Sequence, residues 1–502
     1  MQLLVLLTEA ILILCVASRK SLFSIMFSVF YMILVSMQFS SLIFSGKYIQ
    51  PLAIENLDEL STVGIKPIVL FIIPIILFSV LLFKLSKNKS IFPIFCGFFL
   101  ILLSVFTDKT TLRSITQCLY DINESKNLLL TRDNVADSIG NELTKNRVVY
   151  DSNIENYLNR GKYNVIVIFA EGFSSKIISD ELTPNLSKMI NKSISINNYY
   201  NHTAATYRGI RGQLTSSFQL TGGSHGNKTG ITQVSSKELE DKYGKESKLT
   251  SIIEVLNSAG YTTSFQSSNW KYKPLTVLNS QLGFKNLYGL DDKKEPKKWM
   301  IDELSDKDSY SLLFENITNQ KEPFFYVMYT VGTHIGVDSP DKKYGTGENP
   351  YFNVYYNMDY YLGNFLDKFD KSELAKNTII IFTTDHATYP SPDYLKTFSP
   401  ESNYFVDKIP LIIYKKGVEP KIINAECKNS LSLAPTILDI LGIINIENKF
   451  LGLSLFDNKK SERQNYISAI SKQFYDTENC EVNLLTSEED KEKIIKYQLF
   501  GG

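Results

Sequence analysis

Apolar residues are concentrated in the first part of the chain, where four nearly uninterrupted hydrophobic stretches stand out. They cover residues 2–17, 22–44, 67–83 and 91–106. A helix needs about 20 residues to cross a bilayer, and each stretch approaches that length, although the first and last are short. The pattern predicts a transmembrane domain of about four helices over residues 1–106. A signal peptide is the alternative for the first stretch, but that stretch lacks a basic leader and another apolar run follows at once.

Basic residues between the hydrophobic stretches indicate how the helices are oriented. The first and third connections contain the basic residues Arg19, Lys20, Lys84, Lys87 and Lys89. The second connection, residues 45–66, carries three carboxylates against two lysines. Short basic connections stay on the cytoplasmic side of a membrane. Four spans would then place the rest of the chain outside, and we expect a multi-pass cell-membrane protein whose large domain is extracytoplasmic.

The pattern changes after residue 163 to short apolar runs separated by longer amphipathic ones. Five runs are predicted as strands, at residues 164–170, 262–266, 324–330, 378–384 and 411–414. Apolar residues recur at helical spacing in residues 249–258, 355–369 and 431–441. Such alternation predicts an α/β fold with a mostly parallel sheet between helices.

The remaining segments complete the predicted domain organisation. Residues 107–162 are charged and compatible with a juxtamembrane helical connector, and residues 163–458 form the α/β domain. We expect residues 459–502 to be a C-terminal extension that packs on this domain, with a helix near residues 488–497. Two or three structural units are also what a chain of 502 residues leads one to expect.

The overall composition narrows the classes of function. Lys plus Arg equals Asp plus Glu at 53 each, so no net field favours a nucleic acid as partner. The five cysteines show neither a CxxC pair nor the spacing of zinc ligands, and they do not indicate a disulfide framework. One bridge among Cys118, Cys427 and Cys480 stays open if this part is exported, and an odd count leaves at least one thiol free.

Polar side chains follow three of the predicted strands, where each strand ends. Glu171 comes directly after the first strand, His334 follows the third, and Asp385 with His386 closes the fourth. Ligands of open α/β sheets gather beyond the carboxyl ends of the strands, so we expect these side chains to share one edge. Carboxylates and imidazoles suit zinc or manganese. A lone histidine is more often a structural hydrogen-bonding group, and only the shared position of the four favours a metal site.

The best candidate to carry a nucleophile is the threonine segment, the polar residues 201–218. It offers Thr203 and Thr206 ahead of Arg208 and Arg211, which could hold phosphate oxygens. A threonine hydroxyl becomes a good nucleophile only when a metal or a base lowers its proton affinity. A hydroxyl-rich loop with solvated arginines explains the same pattern equally well.

Other polar and aromatic residues are weaker candidates for a binding site. Trp270, with Lys271 and Lys273, could grip an anionic headgroup or glycan, although plain packing explains it at least as well. His202 and His225 could serve as acceptor-site groups, but a surface role is favoured for each.

A series of motifs gives the α/β domain its resemblance to a known family. In order along the chain they are NVIVIFAEGFS, LTPNLSKM, GQLTSS, GYTTSFQSSNW, GFKNLYGLDD, GTH, TTDH, IPLIIY and LSLAPTILDILGI. This order resembles the sulfatase-like branch of the alkaline phosphatase superfamily, and within it the lipoteichoic acid synthases and phosphoethanolamine transferases. The similarity covers about residues 163–456.

The resemblance implies one divalent ion, Mn²⁺ or Zn²⁺ with Mg²⁺ also compatible, and it implies roles for single residues. The implied metal ligands are Glu171, Thr206, Asp385 and His386. Thr206 would also be the nucleophile, and it is preferred to Thr203 because residues 214–216 then fall where sulfatases place a leucine and a threonine. The implied substrate-binding residues are Arg208, Arg211, Trp270 and His334, and His334 would contact the phosphate or the leaving group.

The hypothesis that follows is a membrane-anchored transferase. It would move a phosphoglycerol or phosphoethanolamine group from a membrane phospholipid, through a phosphothreonine, to a cell-surface glycan or glycolipid. Sulfatases proper place Pro and Arg after a Cys or Ser nucleophile, and this segment lacks that pattern, which argues against sulfate esters. Lipoteichoic acid synthases have five spans, and many phosphoethanolamine transferases have several disulfides and a Ser-Pro pair, so the donor stays open. The alternatives are an extracytoplasmic phosphodiesterase of the same superfamily and an inactive membrane-anchored scaffold.

Overall fold

A computed structural model of the chain describes residues 1–55, 65–85, 87–130, 151–204, 206–219, 249–270, 282–290, 303–400, 402–444, 446–470 and 472–501. The chain forms two compact units. The first unit comprises Met1–Asn127 and Pro390–Thr397, and the second comprises Leu128–Tyr389 and Phe398–Gly502.

All four hydrophobic stretches of the first unit form helices. These four helices are α1 (Gln2–Ala17), α2 (Leu22–Ser45), α4 (Lys66–Lys84) and α5 (Phe92–Phe106). Two more helices, α3 (Pro51–Glu55) and α6 (Thr111–Leu130), lie outside the hydrophobic stretches. Helix α2 begins at a capping box of Ser21 and Ser24 and ends at Gly46, whose positive φ suits a helix C-terminus.

Two or three membrane spans are supported by the length and composition of these helices. Helices α2 and α4 are each long and apolar enough to cross a bilayer, and α5 with Thr111–Asn123 forms a third candidate that is bent by 48°. Helix α1 has 16 residues and is shorter than a span. The four spans and the orientation derived from them therefore stay predictions.

A buried carboxylate joins the helices of the first unit. Glu9 in α1 is fully buried and accepts hydrogen bonds from the Tyr31 hydroxyl at 2.9 Å and the Thr111 hydroxyl at 2.6 Å. The Thr111 backbone N–H also donates to it at 3.1 Å. A negative charge at a helix N-terminus is stabilising, so Glu9 caps helix α6 from another helix.

The second unit is built on an eight-stranded sheet. Its strands are β1 (Asn164–Ala170), β2 (Ile194–Asn197), β3 (Thr262–Trp270), β4 (Asn286–Leu290), β5 (Phe324–Thr330), β6 (Thr378–Thr384), β7 (Leu411–Lys415) and β8 (Lys421–Asn424). Their order is β4-β3-β5-β1-β6-β7-β2-β8, and β7 is antiparallel to both of its neighbours while the other pairs are parallel. The prediction of a mostly parallel sheet is confirmed.

Helices cover the sheet in the predicted alternation. They are α7 (Pro184–Ile190), α8 (Thr206–Thr215), α9 (Ile252–Ser258), α10 (Asp306–Thr318), α11 (Pro350–Asp370) and α13 (Leu433–Ile440). Helix α12 (Pro392–Phe398) belongs, up to Thr397, to the first unit. Strands β1, β5 and β6 are buried along their full length, because helices lie on both faces of a parallel sheet.

The register of the three central strands brings their ends together. Ala170, the last residue of β1, is paired with Thr330 at the end of β5 and with Thr384 at the end of β6. Residues that follow these three strands therefore emerge side by side at one edge of the sheet.

The C-terminal extension forms a second, three-stranded sheet. Strands β9 (Ile467–Ile470), β10 (Gln473–Asp476) and β11 (Asn483–Leu484) pair in antiparallel order and precede helix α14 (Glu488–Gly501). The sequence predicted the helix but not the strands. A disulfide joins Cys427 to Cys480, with 5.1 Å between the Cα atoms, and Cys118 does not take part in this bridge.

A partly buried ion pair ties the start of the α/β domain to helix α13. Arg160 Nη2 lies 2.7 Å from Asp439 Oδ1, and the Asp439 side chain is fully buried. The Ser454 hydroxyl donates to the other carboxylate oxygen at 2.6 Å. The charge of Asp439 is thus compensated by one cation and one hydroxyl.

Removing the cation of this pair should destabilise the chain. We expect Arg160→Ala to lower the free energy of unfolding by about 2–4 kcal/mol, because the buried Asp439 charge loses its partner. Glu155 also lies near Arg160, at 3.8 Å, but it is exposed. Glu155→Ala should therefore change stability by less than about 1 kcal/mol. Thermal unfolding of the full chain in detergent compares the two variants, and equal effects would contradict the expectation.

Candidate active site

Three buried ligand-type side chains meet at the edge where the central strands end. Glu171, Asp385 and His386 each offer one ligand atom, and these atoms lie within 4.8 Å of one another. His386 Nε2 is 3.3 Å from Glu171 Oε1 and 3.4 Å from Asp385 Oδ2. The prediction that these residues share one edge of the sheet agrees with this geometry.

Hydrogen bonds fix one carboxylate oxygen of Asp385, whereas the other oxygen accepts none from the described residues. Oδ1 accepts from the backbone N–H groups of Gly172 at 2.9 Å and His386 at 2.8 Å, and from the Thr384 hydroxyl at 3.1 Å. Oδ2 is buried and has no hydrogen-bond partner among the residues that the structure describes. A buried, unpartnered carboxylate oxygen costs free energy unless a cation or proton meets it.

The imidazole of His386 is oriented by a carbonyl group. Its Nδ1 lies 2.8 Å from the Ala387 carbonyl oxygen, which can only accept, so Nδ1 carries a proton. Nε2 is then available toward the two carboxylates. A second nitrogen held by a carbonyl is the usual arrangement of a metal-binding histidine. The residues therefore fit a divalent ion.

The pKa values of the three groups are shifted by burial and by the charges that they exert on one another. Burial raises the pKa of Asp385 to about 7, and the charge of Glu171 adds to this effect. Burial opposes the charged form of His386, but the two carboxylates raise its pKa to about 9. Burial also opposes the ionised form of Glu171, yet contact with His386 holds its pKa at about 2. Without a metal ion, Asp385 and His386 bind protons more tightly than usual, so positive charge stabilises the site.

Thr206 brings a threonine hydroxyl from helix α8 to this cluster. It is the first residue of α8, and its Oγ1 donates to Glu171 Oε2 at 3.0 Å. Thr203 is directed elsewhere, because its Oγ1 donates to the carbonyl oxygen of Ala469 at 2.8 Å. This geometry agrees with the preference for Thr206.

Helix α8 approaches the cluster through a glycine. A Cβ at Gly209 would overlap the backbone of Asp385. The Gln213 side-chain amide donates to the carbonyl oxygens of Thr384 at 2.9 Å and Asp385 at 3.2 Å. Neither Gly209 nor Gln213 is predicted as a site residue by the sequence motifs. Two glycines three positions apart in a helical segment, Gly209 and Gly212, were the signal for a close approach.

Two hydroxyls, one on strand β5 and one in the loop that carries His334, hold Glu171. The Tyr329 hydroxyl of β5 donates to Glu171 Oε2, the same oxygen that accepts from Thr206, and the Thr333 hydroxyl of the loop donates to the Glu171 carbonyl oxygen. Neither residue is predicted by the sequence pattern. A tyrosine inside an apolar strand carries no sequence signal of its own, because aromatic residues are common in buried strands.

The loop that carries His334 packs on a second buried carboxyl. His334 is half-buried, and its Nδ1 donates to the Ile335 carbonyl oxygen at 2.9 Å. A Cβ at Gly332 would overlap the carboxyl group of Asp306. Asp306 accepts from the Asn357 amide at 2.8 Å on one oxygen, and its other oxygen has no partner in the described part of the chain.

The two arginines of the threonine segment differ in exposure. Arg208 is buried, where its Nε donates to the Ala204 carbonyl oxygen at 3.2 Å and its Nη1 to the Tyr207 hydroxyl at 3.2 Å. Arg211 is half-buried and donates to the Gln219 side chain at 3.3 Å. Their role toward phosphate stays a prediction.

The remaining candidates have different outcomes. A surface role for His202 is wrong, because its ring is fully buried, with Nδ1 2.7 Å from the Ser430 hydroxyl, and burial lowers its pKa to about 3. Trp270 ends strand β3, and its side chain lies outside the described residues, as do His225, Lys271 and Lys273.

Comparison with known proteins identifies the family to which the α/β domain belongs. Residues 163–443 match the model of the family described as Sulfatase. Phosphoglycerol transferase I of Escherichia fergusonii is 24% identical over 317 residues, which are 58% of this chain and 38% of that relative. The chain thus spans less than half the length of this curated relative.

Solved structures with a similar fold agree with the family match. One is a protein in the alkaline phosphatase superfamily from Vibrio parahaemolyticus, with a TM-score of 0.53 and 18% identity over 74% of this chain and 94% of that one. Another is the lipoteichoic acid synthase LtaP from Listeria monocytogenes, with a TM-score of 0.50 and 16% identity over 73% of this chain and 96% of that one. The domain therefore has the alkaline phosphatase fold.

Metal loading should stabilise the chain through the three-residue cluster. At about 100 times its dissociation constant, Mn²⁺ or Zn²⁺ should add about 2.7 kcal/mol to the free energy of unfolding. Asp385→Asn should abolish this gain, whereas Glu419→Gln, at an exposed carboxylate, should keep it. Thermal unfolding with and without a chelator measures the effect. A gain that persists in Asp385→Asn would mean that the ion binds elsewhere.

The buried carboxyl of Asp306 should make stability depend on pH. Burial raises its pKa from 3.8 to about 7, against the hydrogen bond from Asn357. The unfolded chain loses this proton near pH 4 and the folded chain near pH 7, so stability should fall as pH rises between these values. Asp306→Asn should remove a loss on the order of 2–4 kcal/mol, and Glu315→Gln on the same helix should not. Unfolding midpoints at about pH 5 and pH 8 test this, and parallel profiles would contradict it.

Proposed function

The chain belongs to the sulfatase family, and from this membership we propose that it is a membrane-anchored phosphotransferase. It moves a phosphoglycerol or phosphoethanolamine group from a membrane phospholipid to a hydroxyl group of a cell-surface glycan or glycolipid. The reaction proceeds in two steps through a phosphothreonine on Thr206.

One observation carries this proposal: a threonine hydroxyl lies against a buried cluster of metal-ligand side chains. Thr206 Oγ1 is 3.0 Å from Glu171 Oε2, inside the group that also contains Asp385 and His386. A hydroxyl nucleophile beside such a cluster is suited to attack on phosphorus, since phosphoryl transfer depends on positioning and on compensation of charge.

A divalent ion held by Glu171, Asp385 and His386 would lower the proton affinity of the Thr206 hydroxyl and so favour its ionised form. The hydrogen bond to Glu171 Oε2 fixes the direction of the Thr206 oxygen before substrate arrives. Tyr329, which donates to the same Glu171 oxygen, holds that carboxylate in place.

The first step forms a bond from Thr206 Oγ1 to phosphorus and breaks the bond from phosphorus to diacylglycerol. Thr206 loses its proton to solvent, and the diacylglycerol oxygen takes one from His334. The Nδ1 of His334 is engaged by the Ile335 carbonyl oxygen, so Nε2 is the atom that exchanges protons. In the second step His334 takes the proton of the acceptor hydroxyl, whose oxygen displaces Thr206 from phosphorus, and the released Thr206 oxygen takes a proton from solvent.

The membrane helices and the disulfide support a reaction at the outer surface of the membrane. The donor lipid never leaves the bilayer, so an enzyme anchored by apolar helices meets it by diffusion in the membrane plane. The Cys427–Cys480 bridge supports an extracytoplasmic catalytic domain, because disulfides persist in oxidising compartments. The name of the Escherichia fergusonii relative supports phosphoglycerol as the transferred group.

Trapping the intermediate tests the proposal. We expect incubation of the full chain with headgroup-labelled phosphatidylglycerol, without an acceptor, to place the label on Thr206, as peptide mass spectrometry would show. Thr206→Ala should abolish labelling and lower transfer at least about a thousandfold, since the nucleophile is lost. Thr206→Ser keeps a hydroxyl and should still be labelled.

Further arms of the same experiment separate the alternatives. Thr203→Ala should still be labelled at Thr206, and label found at another residue would reject the assigned nucleophile. Parallel incubation with labelled phosphatidylethanolamine identifies the headgroup. Release of free glycerol phosphate without any modified acceptor would favour a phosphodiesterase over a transferase.

A further inference from the structure

The segment that leads into Thr206 is bonded to the C-terminal extension, residues 459–502. The Ala469 backbone N–H donates to the His202 carbonyl oxygen at 2.8 Å. The Ala469 carbonyl oxygen accepts from the Thr203 hydroxyl at 2.8 Å, and Thr203 forms a parallel bridge with Ala469. Strand β9 thus pairs with the chain directly before the proposed nucleophile.

A second residue of β9 extends this contact. The Ser468 hydroxyl donates to the Asn201 carbonyl oxygen at 2.6 Å, and both residues are fully buried. The Asn201 side-chain amide donates to the Thr203 carbonyl oxygen at 2.9 Å. Two residues of β9 therefore fix residues 201–203 through backbone and side-chain groups, away from solvent.

The extension also contacts the chain after the helix of Thr206. Phe218 follows helix α8 and is fully buried in a hydrophobic cluster that consists mainly of residues of the extension. The members of this cluster are Phe218, Leu249, Leu431, Leu451, Ile467, Ala469, Phe474, Leu485, Ile494, Tyr497 and Phe500. The His202 ring lies 5.9 Å from the Phe218 ring, between the two ends of the segment. The extension holds the threonine segment on both sides.

The disulfide anchors the extension at the same place. Cys480 of the extension is bonded to Cys427, and its carbonyl oxygen accepts from the Tyr200 hydroxyl at 2.7 Å. The Thr477 hydroxyl donates to the Cys427 carbonyl oxygen at 2.9 Å. The disulfide therefore lies next to the start of the threonine segment. It limits how far the extension can move away from this segment.

We propose that the C-terminal extension positions the nucleophile, with Ser468 and Thr203 as positioning residues that act through residues 201–203. This inference rests on the proposed function, since it takes Thr206 as the attacking group. Attack on phosphorus needs the oxygen in a narrow range of distance and angle, and a hydroxyl at the start of a helix moves with the segment that precedes it. Strand β9 removes that freedom before substrate binds.

The test separates positioning from stability through the Thr203 hydroxyl. We expect Thr203→Val to lower the rate of label transfer to Thr206 about tenfold with an unchanged KM for phosphatidylglycerol, because geometry and not binding is altered. Thr203→Ser keeps the hydroxyl and should restore most of the rate. Ser468→Ala should act in the same direction as Thr203→Val.

Ser487→Ala is the matched control. Ser487 lies in the same extension, and its hydroxyl accepts from the Asp490 N–H at 3.2 Å at the start of α14. Losing this cap should lower the unfolding temperature of the chain without changing any contact of the threonine segment. The rate of labelling should then stay within about twofold of the original chain.

The outcomes distinguish this inference from the proposed function. If the original chain labels Thr206 and Thr203→Val does so at the rate of Ser487→Ala, the extension is only a stabilising element and the inference is overturned. If Thr203→Ser is as slow as Thr203→Val, the hydroxyl is not the positioning group. Absence of label on Thr206 in the original chain would instead overturn the proposed function.

Discussion

Negative charge buried at the end of the central strands is the constraint on which this domain depends. Glu171 and Asp385 follow adjacent strands whose register makes them neighbours, and His386 Nε2 faces both. Two carboxylates in a water-poor site are unfavourable without a cation, so the sheet edge is stable only when a proton or a metal ion is shared there. The same imbalance attracts the hydroxyl of Thr206, which donates to Glu171.

The residues around the cluster hold its side chains and Thr206 in fixed positions. Gly209 lets helix α8 approach the backbone of Asp385, and Gln213 binds the carbonyl groups beside it. Tyr329 on strand β5 and Thr333 in the loop after it hold Glu171. None of these four residues belongs to the cluster of Glu171, Asp385 and His386, yet each restricts how the cluster and Thr206 can move, as outer groups around metal sites commonly do.

The sequence predicted the parts of this domain that strong local patterns determine. Strands β1, β5 and β6 have the predicted bounds because each is a seven-residue apolar run, and the residues that follow them pointed to the cluster. Strands β9 to β11 were missed because they have two to four residues, too few to show an alternation. His202 was assigned to the surface because composition does not reveal that a distant strand covers it. Contacts between remote segments carry no local signal, and most of the positioning groups belong to this class.

The pairing of β9 with residues 202–203 also bears on how the protein is made. The threonine leaves the ribosome well before the strand that holds its segment, so during synthesis that segment lacks its hydrogen bonds to Ser468 and Ala469. A chain at this stage would hold Thr206 loosely. The geometry around the threonine is therefore complete only after β9 has been synthesised and has docked.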